Sequence, residues 1–412
     1  MKAFLFFVSF ALSTQLLAQI KQAQSDWQQI CDYTIQVELN DVEHTLSGNI
    51  SLDYTNNSPQ TLNKMYFHLW PNAYSSNNSA FARQQLGNGK SEFEFSKAED
   101  RGWIKGIDFE VEGKSCVWEF DSQNVDIAIL RLNQPLKTGE KINITTPFKV
   151  KIPGRFSRFG HKGENYQITQ WYPKPAVYDV NGWNPMPYLD QGEFYSEFGK
   201  FNVSITLPSN YIVAATGELQ NESEQQFLLN RINNPIDPEK DIASTKEKKT
   251  LNYVQDNIHD FAWFASKNFN VETKTIESEG QEVTLYGFAA LTDFNYTKDI
   301  AKGIEYYSEH IGPYPYKYCS AVRGALEAGG GMEYPMVTVL SVTQQEVIIH
   351  EVGHNWFYGI LANNERRYPW MDESFNSYFD HEATRLKILN SDANLKRPRI
   401  ANHLFDINDF IM

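Results

Sequence analysis

The sequence has little cysteine, more acidic than basic residues, and no internal repeat of fixed period. Its three cysteines, Cys31, Cys116 and Cys319, lack metal-ligand spacing, and their odd number leaves at least one unpaired. Neither a disulfide framework nor a cysteine-based metal site is therefore expected. The 37 Lys and Arg residues against 51 Asp and Glu residues give a formal net charge of −14. This charge disfavours nucleic acid and anionic membrane surfaces as partners.

A long apolar run stands at the N-terminus. Lys2 precedes the run AFLFFVSFALSTQLLA, and the small residue Ala18 stands before Gln19. A basic residue, an apolar stretch and a small residue at the cut are the parts of a signal peptide. The run is too short to cross the ~30 Å hydrocarbon core of a bilayer comfortably. We predict a signal peptide over residues 1–18, and an exported protein, periplasmic or extracellular, with no transmembrane helix after its removal.

The chain is long enough for more than one domain, because single hydrophobic cores stop growing at about 250–300 residues. Stretches such as DYTIQVELNDVEHTLSGNISLDYTN and KFNVSITLPSNYIVAATGEL alternate apolar and polar residues, as half-buried antiparallel strands do. The polar, charge-rich residues 220–249 are predicted to form a long surface connection. We expect an α+β multidomain fold, with an N-terminal antiparallel β domain over residues 19–271 and an α+β domain over residues 272–412.

Helical patterns appear in the second domain. The stretch TDFNYTKDIAKGIEYYSEHIG has apolar residues at helical spacing and ends at Gly312-Pro313, a stop signal. Further helices are predicted around residues 343–359, from near Asp372, and from Pro398. EVTLYGFAAL is still predicted to be a strand.

The sequence HEVGH, residues 350–354, indicates a metal site. Each helical residue advances the side chain by about 100°, so His350 and His354 lie within about 40° of each other on one helical face. Two neutral imidazoles in this arrangement can bind one Zn²⁺, and Glu351 between them is free to accept a proton from water.

A catalytic zinc site normally has three protein ligands and one open position. Glu373 begins the next predicted helix and is the preferred third ligand, while Asp372 is the nearest alternative. Consecutive helical residues differ by about 100°, so only one of these two carboxylates can face the metal well. His381 and Glu382 lie two turns further along and are expected to point past it.

The spacing of these residues resembles that of the aminopeptidase N-type zinc metallopeptidases, which belong to the gluzincins. Eighteen residues separate His354 from Glu373, and Trp356 fits the extended motif of that family. The resemblance implies that His350, His354 and Glu373 hold one Zn²⁺ per chain and that Glu351 is the catalytic base. It also implies a saddle-like β domain followed by a thermolysin-like catalytic domain. The chain has Asp372 where the family usually has Asn.

A second motif lies upstream in AGGGMEYPMVTVL, residues 328–340. Glycines allow a backbone to approach a ligand closely, and Pro335 marks the β-branched run as an edge strand that can pair with a peptide. Gly330, Gly331, Met332 and Glu333 resemble the Gly-x-Met-Glu-Asn exopeptidase signature of the same family, with Tyr334 in place of Asn. The resemblance implies that Glu333 binds the α-ammonium group of a peptide substrate.

Two features of that family have no certain counterpart in the sequence. Its members often contribute a Gln or Glu from the β domain to the amine site, and Gln167 and Gln170 lie in the corresponding region. Its transition-state tyrosine lies further beyond the glutamate ligand than the 39 residues that follow Glu373. We therefore expect the catalytic domain to be incomplete at residue 412 and this tyrosine to lie beyond it.

These expectations together predict an exported zinc aminopeptidase that acts on peptides. A zinc endopeptidase and a non-catalytic peptide-binding module of the same fold are the alternatives. Glu333 discriminates between the first two, because an amine anchor is required only for cleavage at the N-terminus. Side-chain preference, oligomeric state and physiological substrate are left open by the sequence.

Overall fold

The computed structural model describes residues 27–325 and 330–385. The predicted signal peptide and the helix predicted from Pro398 lie outside the described residues. Five α-helices are present in the described part of the chain: α1 Ala80–Gly87, α2 Glu222–Asn233, α3 Tyr296–His310, α4 Gln345–His354 and α5 Glu373–Arg385. The described residues contain no helix that is long and apolar enough to cross a membrane.

The first domain is built around a nine-stranded sheet. Numbered in chain order, its strands are β1 Ile30–Asn40, β2 Thr45–Thr55, β4 Trp103–Lys105, β5 Glu110–Val111, β6 Lys114–Ser115, β9 Lys141–Lys151, β15 Gly199–Pro208, β17 Glu218–Leu219 and β18 Lys248–Ile258. The spatial order is β17-β18-β15-β1-β2-β9-β5-β6, with β4 also paired to β9.

Three smaller sheets complete the first domain. One has the order β12-β3-β8-β7, a second has the order β10-β11-β19-β16, and β13 pairs with β14. Their strands are β3 Leu62–His68, β7 Trp118–Phe120, β8 Ile127–Leu136, β10 Gly160–Lys162, β11 Asn165–Ile168, β12 Lys174–Pro175, β13 Tyr178–Asp179, β14 Gly182–Trp183, β16 Ile212–Ala215 and β19 Trp263–Ser266.

The β1–β2 hairpin confirms the alternation predicted from the sequence. Every second residue of β1, from Cys31 to Leu39, is buried, and its neighbours are largely exposed. β2 pairs with β1 in antiparallel register, Ile35 opposite Ile50. The turn between the strands is stabilised by the side chain of Asn40, which accepts hydrogen bonds from the backbone N–H groups of two turn residues. Burial of one face against the core fixes the register, because a one-residue slip would expose the apolar side chains.

Two details of the first domain differ from the prediction. β1 pairs in parallel with β15, so the domain is not purely antiparallel. This pairing joins strands that are far apart in the sequence, and alternation alone carries no information on strand direction. Residues 220–249 also contain α2, whose Glu224 is buried and bonded to Lys249 at 2.7 Å. The helix has few apolar residues, so the sequence pattern of this polar stretch did not indicate it.

A buried carboxylate lies in the turn before β8. The Oδ2 atom of Asp126 accepts a hydrogen bond from the backbone N–H of Tyr188 at 2.7 Å, while its Oδ1 atom has no hydrogen-bond partner. Burial raises the pKa of Asp126 to about 7.

The second domain contains a five-stranded mixed sheet in the order β20-β21-β22-β24-β23. Its strands are β20 Asn270–Ser278, β21 Gln281–Ala289, β22 Tyr318–Arg323, β23 Gly331–Met332 and β24 Val337–Leu340. The strand predicted over EVTLYGFAAL is β21. The edge is formed by β23, not by the run after Pro335 as predicted, because β24 lies between β22 and β23. Two residues of β24, Val337 and Thr338, pair only with β22.

The helices α3, α4 and α5 correspond to helices predicted from the sequence, and they pack closely together. Gly353 on α4 permits this approach, since a Cβ atom there would lie 2.1 Å from Asn376 Oδ1 and 2.3 Å from Tyr307 Oη. A Cβ atom on Gly303 of α3 would similarly lie 3.1 Å from a methyl carbon of Val352. Helix α4 continues beyond His354 into a turn of π-helix, Asn355–Ile360. The close packing holds the histidine-bearing helix against both of its neighbours.

Candidate metal centre

Helix α4 brings its two histidines together. The Nε2 atoms of His350 and His354 lie 3.0 Å apart, and the rings are nearly perpendicular, at 87°. His354 is fully buried, whereas His350 retains some exposure. One turn of helix therefore presents two imidazole nitrogens to the same point, as the i, i+4 spacing predicts.

Glu373, the first residue of α5, joins the two histidines. Its Oε2 atom lies 3.5 Å from His350 Nε2 and 3.8 Å from His354 Nε2. The three ligand atoms lie within 4.8 Å of one another. The Glu373 side chain is 49% exposed, so this side of the group is open. The structure thus assembles one carboxylate and two imidazoles with an open side, the donor set that a catalytic zinc requires.

The far nitrogen of each imidazole is held by a carboxylate. His350 Nδ1 bonds to Asp380 Oδ2 at 2.6 Å, and His354 Nδ1 bonds to Asp372 Oδ1. A carboxylate acceptor favours the tautomer that carries its hydrogen on Nδ1, which leaves the lone pair on Nε2 for a metal. At their separation of 3.0 Å, the two Nε2 atoms can share one proton or bind one metal ion. The chemistry of this donor set fits Zn²⁺.

The electrostatics of the pocket favour positive charge. Burial alone would lower the pKa of His350, but hydrogen bonds to Asp380 and Glu373 outweigh burial and raise it to about 10. The pKa of His354 is raised to about 9 for the same reason, with Asp372 as its partner. The hydrogen bond from His350 lowers the pKa of Glu373. A pocket that stabilises imidazolium this strongly also stabilises a metal cation.

Supporting residues missed in the sequence lie on α3 and α5. Asn376 Nδ2 donates to His350 O at 2.7 Å, and Tyr307 Oη donates to Asp380 Oδ1 at 2.6 Å. Asp380 stands seven residues after Glu373, two helical turns along the same face, so its spacing could have identified it. Neither His381 nor Glu382 joins a metal-ligand group among the described residues.

Glu351 lies beside the glycine-rich strand. Its side chain is buried, and a Cβ atom on Gly331 would stand 2.4 Å from Glu351 Oε1, so only glycine permits this approach. Its backbone carbonyl accepts a hydrogen bond from Thr338 Oγ1 at 3.2 Å. Burial raises the pKa of Glu351 to about 7, although His354 and His350 oppose the shift. A carboxylate with this pKa can accept and return a proton near neutral pH.

The rest of the glycine-rich motif lies next to the histidines. Glu333 is buried, its Oε1 atom has no hydrogen-bond partner, and its carboxylate groups with Asp372 and His354. Burial, then the charge of Asp372, raises the pKa of Glu333 well above its usual value. Met332 is buried in β23. Gly330 is exposed, and a Cβ atom there would meet no atom closer than 3.7 Å, so its backbone does not require glycine.

The first domain contributes side chains to this region. Tyr334 is buried, and its hydroxyl lies 3.4 Å from Gln170 Oε1. Gln170 has a positive φ of 49°, and its buried Nε2 atom lacks a hydrogen-bond partner. Gln167 donates through Nε2 to Arg158 O at 2.8 Å. Of the two glutamines left open by the sequence, Gln170 therefore contacts the residue after Glu333, while Gln167 is bonded within its own domain.

An arginine from the segment before Glu373 also contacts the first domain. Arg366 donates through Nε to Glu193 O at 2.9 Å and through one terminal nitrogen to Pro187 O at 3.1 Å. The carboxylate of Glu193 is paired with Arg158 by two hydrogen bonds of 2.8 Å. The segment that carries Asp372 and Glu373 is thereby attached to the β domain.

No protein-family model matches the sequence, and no curated protein sequence matches it. Solved structures do match. An M1 zinc metallopeptidase from Deinococcus radiodurans aligns with a TM-score of 0.56 and 15% identity over 88% of this chain and 72% of that chain. A mutant from the same organism, bound to a Tyr-Ser-Ala substrate, gives 0.57 and 14% over 87% and 72%. A two-domain M1 zinc metallopeptidase mutant bound to L-arginine gives 0.56 and 14% over 88% and 72%.

These likenesses show that the chain has the two-domain α+β fold of M1 zinc metallopeptidases, as the sequence predicted at the level of fold. At 14–15% identity they show the fold alone.

Proposed function

We propose that this protein is a zinc-dependent aminopeptidase that hydrolyses the first peptide bond of peptides. The observation that carries the proposal is the convergence of His350 Nε2, His354 Nε2 and Glu373 Oε2 within 4.8 Å, next to the buried Glu351. One Zn²⁺ per chain held by these three atoms would polarise the scissile carbonyl and lower the pKa of a water molecule. Zinc in the structural neighbours supports this choice of metal.

Glu351 is the proposed general base. Its carboxylate lies against the backbone of Gly331, and the charges of His354 and His350 act on it. It takes the proton of the attacking water and gives it to the leaving amine. The pKa of about 7 supports both steps, because neither protonation state is strongly disfavoured at neutral pH.

Glu333 is the proposed anchor for the substrate's α-ammonium group. Its carboxylate is buried and close to that of Asp372, so an incoming cation would relieve the repulsion between them. An amine held in place positions the first peptide bond at the metal, so the binding energy sets which bond of the peptide is cleaved. The short β23, which contains Gly331 and Met332, offers an edge to which the peptide backbone could pair.

The neighbours support peptides as the substrate class, since two of them were crystallised with an amino acid or a tripeptide substrate. A zinc endopeptidase is the main alternative, and a peptide-binding module without catalysis is the other. The endopeptidase would not need Glu333. The binding module would not need Glu351.

The test measures zinc content by elemental analysis and hydrolysis of aminoacyl-naphthylamides by the purified protein. We expect one zinc per chain and release of the N-terminal residue. Glu351→Gln should keep the zinc and lose about 10²–10⁴-fold in kcat. An exposed glutamate of α3 provides the matched control variant Glu309→Gln, which should behave as the wild type.

Three results would contradict the proposal in different ways. Absence of stoichiometric zinc removes the metal centre. Equal cleavage of free and N-acetylated peptides by wild type, with Glu333→Ala unchanged, favours the endopeptidase. Peptide binding with zinc present but no turnover favours the binding module.

We also propose that the protein is exported to the periplasm or the outside of the cell, on the strength of the basic residue and apolar run in residues 1–18. N-terminal sequencing of the protein recovered from the cell envelope or medium tests this. A mature N-terminus at Gln19 is expected, and an uncleaved cytosolic protein would contradict it.

A further inference from the structure

A large cavity lies beside β23. Its volume is about 740 Å³, which is typical of pockets that bind small ligands. Gly331 and Met332 of β23 belong to one wall, and side chains of the first domain form the opposite wall. A Cβ atom on Gly331 would stand 2.4 Å from Glu351 Oε1, so the first wall lies against the proposed general base.

The position of the cavity along β23 determines which part of a peptide would enter it. Glu333, the proposed amine anchor, follows Met332 directly and is not among the lining residues. Beyond it Tyr334 is buried, whereas Gly331 on the other side is half-buried and open to the cavity. A peptide held by its amine at Glu333 and paired antiparallel to β23 therefore runs past Met332 and Gly331. The cavity receives the residues that follow the first peptide bond.

Three cationic side chains line this cavity, and two of them are already paired. Lys90 Nζ lies 2.9 Å from Asp190 Oδ2. Arg158 forms two hydrogen bonds of 2.8 Å with Glu193. Arg155, in the segment between β9 and β10, is exposed, and within residues 27–325 and 330–385 it forms neither an ion pair nor a hydrogen bond. Its guanidinium group is therefore available to an anion in the cavity.

Two carboxylates also line the cavity. Asp190 is engaged, because Lys90 pairs with it and Ser157 Oγ donates to its Oδ1 atom at 2.7 Å. Glu92 is exposed, and it forms no ion pair with Arg155. The Arg155 charge is thus not neutralised by the acidic residues that share its cavity.

We propose that Arg155 binds the C-terminal carboxylate of short peptide substrates, so that the protein prefers peptides of about three to five residues with a free C-terminus. Every unmodified peptide carries this carboxylate, and a guanidinium group can hold it through two parallel hydrogen bonds. A compact cavity of 740 Å³ is about 9 Å across, the length of about three extended residues. The inference rests on the proposed function, because the amine anchor at Glu333 sets the other end of the peptide.

The test compares alanine peptides of two to eight residues, each as the free acid and as the C-terminal amide. Their binding to zinc-loaded Glu351→Gln protein is measured by isothermal titration calorimetry, so the result does not depend on turnover. We expect the lowest Kd at three to five residues. At these lengths the Kd of the free acid should be about 5–10-fold below that of the amide, since the exposure of Arg155 weakens the ion pair.

Variants in the same background locate the carboxylate site. Arg155→Met should remove the difference between acid and amide, and Arg155→Lys should keep part of it. Glu92→Gln removes a charge of opposite sign from the same cavity and should leave the preference for the acid in place. The control Arg83→Met replaces an exposed arginine of α1 that does not line the cavity, and it should bind as the parent does. Circular dichroism establishes that each variant is folded.

Three results would overturn the inference: no binding of any free acid, equal Kd values for acid and amide at every length, or a preference for the acid that survives in Arg155→Met. Changes of equal size and opposite sign in Arg155→Met and Glu92→Gln would also overturn it, because the overall charge of the cavity and not a contact would then explain the preference. Failure of the wild type to release alanine from any of these peptides would contradict the proposed function, whereas the carboxylate site is judged by binding alone.

Discussion

Replacement of Asp380 by Asn should weaken zinc binding without removing a ligand. Asp380 accepts a hydrogen bond from His350 Nδ1 at 2.6 Å and is held from the other side by Tyr307 Oη at 2.6 Å. A hydrogen bond that involves a charged group contributes about 1.5–3 kcal/mol. Loss of a carboxylate behind a metal-bound histidine costs about 10–100-fold in metal affinity, or about 1.4–2.8 kcal/mol. The two estimates agree, and we expect the Kd for zinc to rise about 10–100-fold.

The assay is a competition titration of zinc between the protein and a fluorescent chelator at pH 7.5. The control is Asp293→Asn, which neutralises an exposed aspartate in the loop before α3. Wild type and control should have the same Kd. An unchanged Kd in Asp380→Asn, with a normal circular dichroism spectrum, would refute the idea that the carboxylate prepares His350 for the metal.

Three further predictions concern stability. Gly353→Ala should lower the free energy of unfolding, measured in urea, by about 1–3 kcal/mol, because its Cβ would stand 2.1 Å from Asn376 Oδ1. The control Gly87→Ala should not destabilise the fold, since a Cβ there meets no atom within 4 Å. Burial raises the pKa of Asp126 from 3.8 to about 7. The contribution of this group to the free energy of unfolding is therefore fully present below pH 3.8 and is lost as the pH rises through 7. Asp126→Asn should therefore exceed wild type in stability at pH 8, by up to about 4 kcal/mol, and by much less at pH 5; equal differences at both values would contradict this. Arg366→Met should lower the free energy of unfolding by about 1–3 kcal/mol through loss of its hydrogen bonds to the first domain, and an unchanged urea midpoint would contradict that role.

The local features of the site were predictable because they depend on spacing within one helix. The i, i+4 relation of His350 and His354 fixes their common face, and the structure brings their Nε2 atoms to 3.0 Å. The helix predicted from near Asp372 is α5, which begins at Glu373. Glu373 and Asp372 differ in the histidine atoms they face: Glu373 lies near Nε2 of both histidines, and Asp372 holds Nδ1 of His354.

Features that depend on tertiary contacts were not predictable. The parallel pairing of β1 with β15 joins residues about 170 positions apart, such as Tyr33 and Phe201, and no local pattern encodes it. The placement of β23 at the sheet edge depends on how the chain returns after the glycine-rich segment. The burial of Glu365 could not be read from the polar sequence NNERRY, because its cause is the packing of the first domain against this segment.

The contacts from Arg366 to the β domain and from Tyr334 to Gln170 connect the candidate metal centre to both domains. If zinc fixes Glu373, it also fixes the segment that Arg366 attaches to the first domain. The affinity for zinc and the docking of this segment on the first domain are then thermodynamically linked. By reciprocity, whatever factor docking adds to zinc affinity, zinc adds to docking. A fragment cut at residue 272, the predicted domain boundary, would lose that shared free energy, so this boundary would not divide the function.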